Sequence, residues 1–66
     1  MNARMTTPSE IRSQLQAITE AKTEAEATAM MYWPTTCAIG TFRLIEQHRL
    51  AGDTVQDAAK RALEAM

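Results

Sequence analysis

Met30-Met31-Tyr32-Trp33-Pro34 gathers the only Trp and the only Tyr of the chain at a point where a helical pattern has to break. Pro34 lacks a backbone donor and steers Trp33 away from the α region, so the stretch predicts a corner between two helices. Four large side chains in a row leave a helix in different directions. One intramolecular core cannot readily cover all four, and part of the stretch is expected to meet another chain. Met, Tyr and Trp are enriched in interface cores, and Trp and Tyr at their hot spots. Met30, Met31, Tyr32 and Trp33, with Ile39, Phe42 and Ile45 of the following helix, are therefore read as a surface for self-association or for a partner.

Upstream of the corner, Thr7-Pro8-Ser9-Glu10 is a helix start: Thr7 caps, Pro8 suits the first helical position, and Glu10 completes a capping box. Helix 1 is expected to run from there to the corner on the seam Ile11, Leu15, Ile18, Ala25 and Ala29, with Lys22 interrupting it. Its later half, thinned to alanines, should pack tightly against a neighbour. Glu20, Lys22, Glu24 and Glu26 form a solvated face. Residues 1–6 carry no apolar period and read as a flexible arm ahead of one small helical domain over 7–66.

Downstream, helix 2 is expected to start within Pro34 to Cys37 and to run to Ala51, where Gly52 can turn left-handed. Cys37, Thr41, Leu44 and His48 share one stripe, Ala38, Phe42 and Ile45 the next, and Ile39 and Leu50 lie beyond. Apolar surface that wide is unlike the single stripe of a surface helix, which makes helix 2 the expected centre of the fold. Asp53-Thr54-Val55-Gln56 then repeats the start signal, with Asp53 as cap. Helix 3 carries the seam Val55, Ala59, Ala62 and Met66, flanked by Ala58 and Leu63, while Gln56, Asp57, Lys60, Arg61 and Glu64 face water. The fold class is all-α: two longer helices meeting at a Trp-Pro corner, and a short C-terminal helix.

Size points to association. A chain of 66 residues buries only about 60% of the surface that its unfolded form exposes. Small domains compensate with disulfides, a metal or oligomerisation. Cys37 has no second cysteine to pair with, and one Cys with one His falls short of a structural zinc site. A homo-oligomer, a dimer in its simplest form, is the expectation, with no metal or cofactor. Seven Lys and Arg against eight Asp and Glu give no field for a nucleic-acid backbone or an anionic membrane. The longest apolar run, Ala29 to Trp33, is too short for a signal-peptide core or a membrane span, so the expected location is the cytoplasm.

Catalysis finds little material. Cys37 and His48 share a stripe but stand about 16 Å apart along a helix, beyond reach of one another in one chain. The Glu20, Glu24 and Glu26 carboxylates lie among alanines and threonines, with nothing apolar to raise a pKa. No enzyme is expected. At the start of helix 2, free N–H groups beside Thr35 and Thr36, with Arg43 and a stacking Tyr32, form a candidate site for a small anion such as a nucleotide signal. The plainer reading is that Thr35 or Thr36 caps the helix. A helix-turn-helix DNA binder is a further alternative, opposed by Asp57 and Glu64 beside Lys60 and Arg61. The expected function is binding: a self-associating helical protein that engages a larger protein. Its economy suits a phage or mobile-element product that inhibits or redirects a host protein.

Overall fold

The computed structural model describes residues 7–32 and 39–66. Among these it has four α-helices and no strand: α1 (Pro8–Thr19), α2 (Glu24–Tyr32), α3 (Ile39–His48) and α4 (Val55–Ala65). The expected arm over 1–6, the corner at Trp33 and Pro34, and Thr35, Thr36, Cys37 and Ala38 lie outside the described residues.

The start of α1 is as expected. The Glu10 N–H donates to Thr7 Oγ1 at 3.2 Å and the Thr7 N–H to Glu10 Oε1 at 3.1 Å, a closed capping box with Pro8 just inside it. The expectation of one helix running on to the corner is overturned. α1 stops at Thr19, whose hydroxyl donates to Leu15 O at 2.8 Å. The Ala21 N–H then reaches back only three residues, to Ile18 O at 3.1 Å. A second start follows at once. Thr23 Oγ1 accepts from the Glu26 N–H at 3.1 Å, and Glu26 Oε1 accepts from the Lys22 N–H at 3.0 Å. This is the Thr-x-x-Glu arrangement of residues 7–10 repeated, with the return bond shifted by one residue.

The break resets the helical phase. Ala25 and Ala29, expected on the buried seam, are exposed, and Ala27 and Met31 are buried in their place.

α3 ends at His48 rather than at Ala51. The cause is Asp53, whose carboxylate accepts the Leu50 N–H at 3.0 Å while its own N–H donates to Leu50 O at 3.0 Å. These bonds close a turn over residues 50–53. Gly52, at its third position, adopts φ +87°, a value that favours glycine there. The expected left-handed glycine is therefore present, inside a turn. With its carboxylate so engaged, Asp53 does not cap α4. Thr54 does, accepting the Asp57 N–H at 3.1 Å.

The core consists of Leu15, Ile18, Ala27, Met31, Ile45, Val55, Ala58, Ala59 and Ala62. α4, not the helix expected, is the centre: it packs against all three others and most extensively against α1 and α3. Its inner face is Val55 and three alanines, small enough to let helix axes approach. The close approach assigned to the alanines of helix 1 is thus provided by α4. Met66, expected on this seam, is 41% exposed.

α1 and α3 are also joined directly. The buried Thr41 hydroxyl donates to Gln14 Oε1 at 2.5 Å. A Cβ at Gly40 would meet Ile11 Cδ1 at 3.1 Å, so the lack of a side chain there seats the first turn of α3 on α1.

Candidate interaction surface

Tyr32 is the last residue of α2 and Ile39 the first of α3. Both remain open, at 56% and 73% exposure. Phe42, one turn along α3 from Ile39, is half-buried, and its ring meets that of Tyr32 edge-on, with centroids 5.4 Å apart and planes at 60°. This T-shaped geometry is the favourable one for an aromatic pair. It ties the end of α2 to the start of α3 and leaves an apolar ledge of Tyr32, Phe42 and Ile39 on the outside.

The other residues of the expected surface divide clearly. Met31 and Ile45 are core residues, at most 2% exposed, and offer nothing to a partner while the chain is folded. Met30 is half-buried against the core. Trp33 lies outside the described residues. The large side chains at 30–32 therefore do leave their helix in different directions: one goes inward, one to the core margin, one outward.

Of the expected anion site, Thr35 and Thr36 lie outside the described residues. Arg43 is exposed on α3, and no hydrogen bond or ion pair links it to Tyr32. His48 is half-buried in the last turn of α3. Among the described residues no three of His, Cys, Asp and Glu come together as metal ligands, and no helix is long and apolar enough to cross a membrane.

The outward face of α4 presents Asp57, Lys60, Arg61 and Glu64 around a shallow depression. Charges of both signs are mixed there. Arg61 is also engaged with Asp53 at 3.3 Å, which helps to hold the α3–α4 turn. A recognition helix needs a basic stripe on an open face, and α4 instead spends its inner face as the hub of the fold.

Gln56 was expected to face water. It folds inward, its Nε2 donating to Ala21 O at 3.4 Å across the α1–α2 junction. Its Oε1 is buried with no partner among the described residues. The α1–α2 turn that leaves Ala21 O within reach is the one hidden by the alanine-thinned seam, although Thr23 and Glu26 carried its signal.

Comparison with family models, with curated proteins and with solved structures returns no match for this chain.

Proposed function

We propose that this chain is an interaction protein that engages a larger protein through the ledge of Tyr32, Phe42 and Ile39, and so modulates it. The observation that carries this reading is the joint exposure of Tyr32 and Ile39 beside the half-buried Phe42. Isolated exposed apolar residues are ordinary on a protein surface, whereas contiguous ones mark sites of contact. Tyr32 offers a large amphipathic ring held in place by Phe42, so little side-chain freedom is lost on binding. The small core leaves few apolar residues to spare for such a surface, which makes their presence outside it informative.

The test is site-specific photocrosslinking in the cells that make the protein. A benzophenone side chain at position 39 should yield a covalent adduct with a larger polypeptide, and Tyr32→Ala should reduce that adduct at least about tenfold, the loss typical of a hot-spot aromatic. A benzophenone at position 60, on the outward face of α4, serves as control. Equal adducts at both positions, or an adduct at 39 indifferent to Tyr32→Ala, would exclude the ledge as the binding surface.

A further inference from the structure

We infer that the outer face of α3 is a self-complementary surface on which a second copy of this chain docks antiparallel. Deepening the reading above, this assigns the Ile39 end of the ledge a first partner.

Ile39, Arg43, Glu46 and Leu50 are all exposed. At 100° per residue Ile39, Arg43 and Glu46 fall within about 60° of arc, on the side of α3 away from the buried Thr41 and Ile45, and Leu50 follows just past its end. Leu50 stands two residues beyond the helix, and the bond from the Arg49 N–H to Glu46 O at 3.4 Å carries the coil on toward it. The intervals of four, three and four residues are those of a coiled-coil seam.

The order along this stripe is apolar, basic, acidic, apolar. Read backwards, it has the same spacing with the two charges exchanged. A parallel copy would set Arg43 against Arg43 and Glu46 against Glu46. An antiparallel copy sets Ile39 opposite Leu50 of the second copy and Arg43 opposite its Glu46, and the two-fold axis repeats each pair, as an isologous interface requires. Charge complementarity therefore selects one orientation. Neither charge is committed to an ion pair among the described residues; Arg49 pairs with Glu24 and Arg61 with Asp53 instead.

The ends fit as well. Ile39 has Phe42 beside it and Tyr32 against Phe42, so the incoming Leu50, 55% exposed in a single chain, meets three apolar side chains. A stripe about 16 Å long makes an interface at the small end of the range for specific complexes, hence a weak dimer.

Sedimentation equilibrium from about 10 µM to about 1 mM, spanning weak dissociation constants, tests this. The wild-type chain should pass from monomer to dimer. Arg43→Glu and Glu46→Arg should each weaken association at least about tenfold, since each sets two pairs of like charges face to face. The double exchange R43E/E46R should associate like wild type. So should an equimolar mixture of the two single variants, because every contact in the mixed dimer then pairs opposite signs. Ile39→Ser and Leu50→Ser should each also weaken it. All these positions are exposed, so helical circular dichroism should be unchanged. A wild-type monomer at 1 mM, single charge variants that associate normally, or a mixture that does not recover the dimer would each overturn the inference. These variants spare Tyr32 and Phe42, so a wild-type chain that stays monomeric yet still gives an adduct with a larger polypeptide would sink the dimer alone. A dimer without such an adduct would sink the preceding reading alone.

Discussion

Thr41 and Gln14 share the hydrogen bond that fixes how far α3 can slide along α1, for Thr41 is a fully buried polar residue and its hydroxyl reaches Gln14 Oε1 at 2.5 Å. Thr41→Val keeps the shape and removes the donor. A loss of about 1 kcal/mol is expected, the usual net worth of such a bond, read as a lower urea midpoint at unchanged slope. No change in midpoint would mean that packing around Gly40 and Ile11 sets the register by itself.

Gln56 is the opposite case, a polar group whose burial is poorly compensated. Its Oε1 has no partner among the described residues and its Nε2 makes only a 3.4 Å contact with Ala21 O. A buried unsatisfied oxygen costs about 1–3 kcal/mol. Gln56→Met, close in volume, should leave the melting temperature unchanged or raise it by a few degrees, at about 4–8 °C per kcal/mol for a domain near this size. A clear fall in melting temperature would show that the contact with Ala21 outweighs the orphaned oxygen.

The second helix start depends on Thr23. Thr23→Ala removes the acceptor for the Glu26 N–H and should cost about 1 kcal/mol, as N-cap losses do. Amide hydrogen exchange should speed up first at Ala25 and Glu26. If exchange rises equally along α1, then the α1–α2 break is not an independent boundary.

Gly52, at φ +87° with open space around its missing side chain, can be replaced only at a conformational cost. Gly52→Ala should destabilise by about 1 kcal/mol, since the left-handed region is strained for residues with a Cβ. A neutral result in thermal melts would mean that the α3–α4 turn relaxes.

Much of this fold was legible in the sequence, because local chemistry set it. Thr7, Pro8 and Glu10 opened α1, Gly52 turned as its type allows, and Val55, Ala58, Ala59 and Ala62 marked the inner face of α4. The errors share one cause. Alanine satisfies a helical period without declaring which side is buried, so a period counted through Ala25 and Ala29 runs on from Ile11, Leu15 and Ile18 across a break. Thr23 and Glu26 carry the signal of that break, but Glu26 equally suits the solvated face expected of Glu20, Lys22, Glu24 and Glu26. Asp53 is ambiguous for a different reason: its carboxylate can cap α4, close the 50–53 turn or pair with Arg61, and the folded chain takes the last two. Of the expected interaction residues, Tyr32, Ile39 and Phe42 are where a ledge can form, and Met31 and Ile45 were taken by the core.

The helix that holds the others together is also the last of the four. α1 lies against α4, so contacts between Leu15 or Ile18 and the alanines of α4 span some forty residues of intervening chain, and that loop must close before either side gains from it. During synthesis, α1, α2 and α3 therefore leave the ribosome without the helix they pack against. The apolar side chains that α1 and α3 turn toward α4 stay uncovered until Ala62 emerges, so this part of the core closes only after α4 has been translated.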